Sequence, residues 1–450
     1  MRRRAGGTVA FVTGLAVIGI ALGAWSLGVW SSSGPGPVDA EAATGEVRSF
    51  ALVAKSTTLT VDKGVVFKAF TFNDRSPGPQ IVVNEGDTVE LKIRNDDSVT
   101  HGLSVHAANT QTSKFVGNVA AGKTGTLRFK ADYPGVYMYH CAPGGHGIMT
   151  HTLGGMYGMI VVEPTSKKYR LEQELGRAPD VKVYVVQHEV YASGRDFFDG
   201  KPLYVMFNGR NFRYVTDPIK VRPGDYVRFY YLNVGPNLTS TFHAVGGVWN
   251  YIYYGGNPSN LMTGTQSAVS GPTDSWVVDW QVPAEGPFTL VSHAFGTQAI
   301  KGAIGVIDSK ADNPRVPIVS SEGQAPVATP TPPKRVVSPF GIGSPDLDTP
   351  VRFRRGDTIK IQMVGNSFFP KIAEIPAGEK VTWVNEDVFD LLEGERTGSH
   401  DAVSTSGPAR FASPVLGHAG RYTVRLTKRG TYEYLCRIHP YMKGRLKVYR

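Results

Sequence analysis

The stretch from Tyr139 to Met159, YHCAPGGHGIMTHTLGGMYGM, carries one of only two cysteines in a chain of 450 residues. His140, His146 and His151 surround Cys141, together with Met149, Met156 and Met159. The second cysteine sits in similar company. In YLCRIHPYMKGRLKV, Cys436, His439 and Met442 share one short stretch, and GSHDAVS supplies His400 upstream. Two imidazoles and a thiolate in a trigonal plane, with a weak axial thioether, are the donor set of a blue copper site that passes single electrons. A cysteine and a methionine in a core with surface histidines nearby would need several coincidences in the same short loop. The two cysteines also lie too far apart in sequence, in contexts too alike, to read as a structural disulfide.

A second group of histidines cannot serve the same ion. THGLSVHAA supplies His101 and His106, and His140 stands immediately before Cys141. Neighbouring residues of a strand point to opposite faces, so Cys141 and His140 face away from each other. Two metal sites are therefore expected back to back, joined by one peptide bond.

The elements that position these ligands recur along the chain. VVNEGDTVELKIRN (from Val82), KVRPGDYVRFYYLN (from Lys220) and EIPAGEKVTWVNED (from Glu374) share a turn glycine, at Gly86, Gly224 and Gly378, then an alternating apolar strand, then Asn95, Asn233 or Asn385. The alternation is that of a half-buried strand. Later in each copy, the sixth residue after Gly135, Gly286 and Gly430 is Cys141, Ser292 and Cys436, so the middle copy lacks a cysteine. The fold class is therefore all-β, with three tandem Greek-key β-sandwich or barrel domains at 45–164, 165–308 and 346–450. Between the last two, 309–345 is a Pro-rich linker expected to be extended and semi-rigid. The one helix-period segment, KKYRLEQELGR (Lys167 to Arg177), joins the first copy to the second.

The N-terminus predicts the compartment. Arg2, Arg3 and Arg4 precede an apolar run to Trp30, read as a transmembrane anchor or signal over 1–30 with a flexible tether at 31–44. The protein is expected to be exported and membrane-anchored, facing the periplasm or cell exterior. A formal charge of +10 without any Lys/Arg-rich run argues for attraction of a small anion and against nucleic acid.

The Cys436, His439 and Met442 order resembles the amicyanin and plastocyanin family of cupredoxins. From about Ser49 to Asp308 the chain resembles the copper-containing nitrite reductases, which are built of two cupredoxin domains. That resemblance implies three tandem cupredoxin domains holding two type 1 coppers and one type 2 copper per chain. His101, Cys141, His151 and Met156 match the type 1 ligands, since HTLGGMYGMIVVEP keeps the family's ending, with His146 as the rival to His151. His106 and His140 match two type 2 ligands; His293, in LVSHAFG, matches the third, contributed in that family by a neighbouring subunit of a homotrimer. His243 matches a catalytic histidine beside that copper, and Val245 the aliphatic residue that shapes the substrate pocket. With His400, Cys436, His439 and Met442 holding a further type 1 copper, electrons from an external cytochrome c or cupredoxin are expected to reach nitrite by way of Cys436, Cys141 and His140. One position departs. The family's proton-relaying aspartate is Ser104 here, and a hydroxyl is far too weak an acid to shuttle protons as a carboxylate does.

Two other readings compete. A laccase-like multicopper oxidase needs His-x-His pairs, and none of the 11 histidines forms one. A membrane-tethered electron carrier with an inactive type 2 site would be expected to have lost His106, His140, His243 or His293. His188 and His418 are read as surface or strand-pairing residues.

Overall fold

The structure is a computed structural model that describes residues 45–112, 116–143, 148–192, 196–197, 199–326, 335–337, 350–364, 367–385, 399–417, 419–440 and 442–450. The expected anchor and tether, His146 and His418 lie outside the described residues. Among the described residues, no helix is long and apolar enough to cross a membrane.

The strands form sheets that pack face to face in pairs. In the first unit, strands Val47–Asp62, Val65–Phe72, Thr88–Asn95 and Thr124–Lys130 make one sheet; Ile81–Asn84, Ser104–Val105, Gly135–His140 and Tyr157–Glu163 make the other. Strand Thr88–Asn95 buries Val89, Leu91 and Ile93 and leaves the residues between them nearer solvent, the period of a sheet with one wet face. Those side chains meet Tyr139, Ile160 and Val162 of the facing sheet, each contributing about 1.5–3 kcal/mol by leaving water. The second unit packs Val183, Phe229 and Val278 against Phe242, Leu290 and Ile307, and the third packs Ile361 and Trp383 against Ile375, Tyr434 and Leu446.

The repeated residues have one role in all three units. Gly86, Gly224 and Gly378 adopt φ of 92°, 80° and 90°, a turn conformation that a side chain would strain. The repeated asparagines are fully buried, Asn95 and Asn385 at the ends of their strands and Asn233 two residues before the end of Tyr226–Gly235. Asn95 donates its amide to the Val119 carbonyl, Asn233 to that of Ser270 and Asn385 to that of Leu416, over 2.7–3.0 Å. Each tie fixes the segment that pairs with His101, Ser240 or His400.

Two strands of the first unit have cores on both sides. Tyr157–Glu163 turns Ile160 and Val162 into the first unit and Tyr157, Met159 and Val161 towards the second. The facing strand Tyr226–Gly235 is buried along its whole length, with Tyr230, Leu232 and Val234 completing the shared core. This explains its run of large apolar residues. His188 belongs to the same junction and is a correction to the surface reading. It pairs on strand Val181–Val190 but is fully buried, its Nε2 accepting the Gly209 amide at 3.0 Å and its Nδ1–H donating to the Tyr157 hydroxyl at 2.5 Å.

The helix expected over Lys167 to Arg177 is shorter, Arg170–Leu175, because Tyr169 is extended and Gly176 turns left-handed at φ 62°. Described parts of the 309–345 stretch are pinned to the sheets. Ile318–Val319 adds to the second unit's large sheet, Arg335–Val337 adds to the first unit's sheet beside Val65–Phe67, and Glu322 pairs with Arg75 at 3.0 Å.

Candidate metal centres

Cys141 follows the last residue of strand Gly135–His140, and its amide donates to the Met156 carbonyl at 2.9 Å, while the Met156 amide donates to that of His151 at 3.0 Å. The third unit repeats the pattern, Cys436 to Met442 at 3.0 Å and Met442 to His439 at 2.8 Å. In this way the chain returns on itself and gathers Cys, His and Met around one point. The first triangle of donors measures 3.5 Å from Cys141 Sγ to His101 Nδ1, 3.3 Å to His151 Nδ1 and 3.0 Å between the two imidazoles. The second measures 3.9 Å from Cys436 Sγ to His400, 3.7 Å to His439 and 3.1 Å between imidazoles. An ion held at either centre would sit about 2 Å from all three donors, an ordinary ligand distance. All six residues are buried, as are Met156 and Met442. Soft sulfur with two imidazoles fits copper.

Each sulfur also accepts one amide, Gly102 N–H to Cys141 at 3.3 Å and Asp401 N–H to Cys436 at 3.5 Å. Burial pushes the Cys141 thiol well above its ordinary range and the Gly102 bond only partly offsets this, so a thiolate here requires a cation beside it. His101 is oriented from behind by Asp97, which accepts its Nε2–H at 3.3 Å. Burial raises the Asp97 carboxyl, but the His101 and Ser56 donors outweigh it and hold the group below the usual carboxylate range. In the third unit the buried Asp401 carboxylate takes both the amide and the Nε of Arg437, at 2.6 and 2.7 Å, fixing the turn that carries Cys436.

On the opposite face of the same strand, His140 Nε2 stands 3.2 Å from His106 Nε2. The Nδ1–H of His140 donates to the Cys141 carbonyl at 3.0 Å, which leaves the Nε2 lone pair free to bind an ion. Burial, with His106 beside it, lowers His140 to about 4, so the ring is neutral near pH 7. Ser104 pairs directly opposite His140 and lies two residues before His106, which puts its half-buried hydroxyl on their face. Thr112 donates to it at 3.4 Å.

His243 and His293 come together elsewhere, on the second unit, with ring centroids 5.3 Å apart. His243 is held by an Nδ1–H bond to the Gln266 carbonyl; Val245, two residues on, and His293 are exposed. Among the described residues, the groups of three or more His, Cys, Asp or Glu side chains able to share an ion are the two cysteine triads. One chain therefore presents His106 with His140, and His243 with His293, as two separate pairs.

The model of the plastocyanin/azurin family of copper-binding proteins matches residues 358–449, and the multicopper oxidase model matches 53–167. The copper-containing nitrite reductase of Neisseria meningitidis serogroup B is 34% identical over 276 residues, 58% of this chain and 68% of its own length. The chain belongs to the copper-containing nitrite reductases. Among solved structures, a nitrite reductase from Thermus scotoductus SA-01 is 59% identical with a TM-score of 0.84, over 90% of this chain and 99% of that one, a share too large to omit the C-terminal unit. The copper nitrite reductase of Nitrosomonas europaea is 32% identical with a TM-score of 0.56, over 61% and 98% of the two chains.

Within this nitrite reductase chain, one cluster escaped the sequence reading. The second unit, which lacks a cysteine, holds a connected set of buried polar side chains: Gln187, Tyr231, Ser240, Ser292 and Gln298. Its signal in the sequence was faint. Gln187 is an uncharged amide that directly follows the apolar run VYVV in VKVYVVQHEV, and a polar group in a strand buried on both faces needs partners there.

Proposed function

We propose that the protein reduces nitrite to nitric oxide, taking up one electron and two protons and releasing water. The observation that carries this reading is the strand end at His140 and Cys141, which offers a Cys–His₂ triad on one face and a histidine pair on the other. Copper, when bound, supplies one-electron transfer at the cysteine triads and a Lewis-acid and redox centre for nitrite at the histidines. In this reading His101, Cys141, His151 and Met156 hold one type 1 copper, and His400, Cys436, His439 and Met442 hold another. His106 and His140 hold the type 2 copper together with His293 of a neighbouring copy, for a total of two type 1 coppers and one type 2 copper per chain in a homotrimer. The separation of the two histidine pairs on one chain supports the shared site.

The other residues follow from their places. His140 keeps its Nε2 available because the Cys141 carbonyl holds Nδ1–H, and the single peptide unit between them is a short covalent route for the electron. His243, held through Nδ1 by Gln266, keeps Nε2 directed away from that bond and serves as a proton donor in its protonated form. Val245 bounds the substrate pocket with an apolar wall. The C-terminal unit receives electrons from an external cytochrome c or cupredoxin. Export and a membrane anchor at 1–30 complete the reading. The test is direct: copper-loaded protein supplied with a reductant and nitrite is expected to form nitric oxide and to contain three coppers per chain. Full copper occupancy without nitric oxide formation would overturn the reading.

Ser104 is the residue that tunes the proton supply. Positioned proton transfer contributes on the order of 10²–10⁴-fold in rate. Ser104→Asp, on the face shared by His106 and His140, is expected to raise nitrite turnover at neutral pH by about tenfold or more at unchanged copper content. Equal turnover in the two proteins would assign proton delivery to another group.

A further inference from the structure

We infer that the buried polar network of the second unit stands in the place of a metal centre, and that Gln298 positions His293 through its hydrogen bond to Ser292. This rests on the proposed reading that His293 is a copper ligand.

Corner by corner, the correspondence is structural. The Asn95 and Asn385 amides bond the carbonyls of Val119 and Leu416, whose backbones pair with His101 and His400. The Asn233 amide bonds the carbonyl of Ser270, which pairs with Ser240, so Ser240 occupies the place of the first histidine. Ser292 occupies the place of cysteine, and it accepts the Thr241 amide at 3.4 Å just as Cys141 and Cys436 accept the amides of Gly102 and Asp401. Ser240 Oγ and Ser292 Oγ are 3.1 Å apart. Gln298 closes the third corner, its Oε1 accepting the Ser292 hydroxyl at 2.6 Å.

The network satisfies itself without a metal. Tyr231 O–H donates to Ser240 Oγ at 2.7 Å, Ser240 to Gln187 Oε1 at 2.8 Å, and Gln187 Nε2 to Gln298 Oε1 at 2.9 Å. Gln298 Nε2 then donates to the Thr239 carbonyl at 2.7 Å. All five side chains are excluded from water, so each bond is expensive to lose. The consequence for the site is geometric. His293 directly follows Ser292, as His140 directly precedes Cys141, and its amide donates to the Thr241 carbonyl at 2.8 Å, two residues beyond the Thr239 carbonyl to which Gln298 is tied. The exposed imidazole of His293 thus projects from a backbone whose preceding residue, Ser292, is bonded to Gln298. A ligand donated across a subunit boundary gains most from such fixing, because its ion gathers groups from two bodies.

The experiment compares full-length, copper-loaded Gln298→Leu with the parent protein. The expected result is a loss of roughly 10–100-fold in type 2 copper affinity and an altered type 2 EPR spectrum, with the absorption of both cysteine centres unchanged. Ser292→Cys, which keeps a weak donor, is expected to stay near the parent, and Ser292→Ala to lose affinity. A Gln298→Leu protein with a lower melting temperature but unaltered type 2 affinity and spectrum would make the network ordinary core and overturn the inference. If Gln298→Leu does not fold, the Ser292 pair decides, with equal affinities for Ala and Cys counting against positioning. A parent protein with no type 2 copper refutes the underlying ligand reading instead, a result distinguishable from the others.

Discussion

His293→Ala is expected to bring nitrite turnover to background while both cysteine centres keep their absorption. The side chain is exposed on the second unit, so its removal should change folding by no more than about 0.5 kcal/mol. The effect on the metal is far larger. Losing a residue that merely supports a ligand costs on the order of 10–100-fold in affinity, and in the proposed reading a ligand itself is removed, leaving His106 and His140 as the only imidazoles. Copper content is expected to fall from three per chain to two, with the type 2 EPR signal lost and no change in the blue bands. Retention of three coppers with only a loss of stability would assign His293 to the fold. Size measurement of the soluble body belongs to the same experiment, since a monomer with full type 2 occupancy contradicts a site shared between copies.

Cys141→Ser separates electron supply from nitrite binding. The variant is expected to fold, because a serine can accept the Gly102 amide just as Ser292 accepts that of Thr241. A hydroxyl is too weak an acid to give the anionic soft donor that the site uses. The expected protein lacks the first unit's blue centre, keeps that of Cys436, keeps type 2 copper at His106 and His140, and forms nitric oxide at background rates when electrons come from a protein donor. Absorption, copper count and donor-driven turnover check the three parts separately. Undiminished turnover from the same donor would show that electrons reach nitrite without passing Cys141.

Much of this arrangement was legible because it depends on local chemistry. Gly86, Gly224 and Gly378 announce themselves by a turn that only glycine enters easily, and Asn95, Asn233 and Asn385 by a buried amide at or near the end of the following strand. Cys141 beside His140 implied opposed faces through strand geometry alone. The short helix Ile148–Leu153 that carries His151 was not foreseen, because six residues give no usable period. The surface half of the His188 reading failed because one strand can be buried on both faces, and nothing in its own sequence tells which neighbour covers the second. The second unit's network left only a faint signal for a related reason. Gln187 and Gln298 lie 111 residues apart, and only the packed sheets bring them to the same corner.

The two-faced strand Gly135–His140 has one more consequence, for how this chain can change over generations. Its ladder pairs Tyr139 with Gly158 and His140 with Tyr157 on one edge, and His140 with Ser104 on the other. A strand has parity: inserting or deleting a single residue ahead of His140 would swap the faces, turning its imidazole into the first unit's core and the Cys141 sulfur outward. Such a change would dismantle both centres at once. Viable length changes are thereby confined to the turns beyond the ladder, and the spacing of one peptide bond between the two sites is inherited as an indivisible unit.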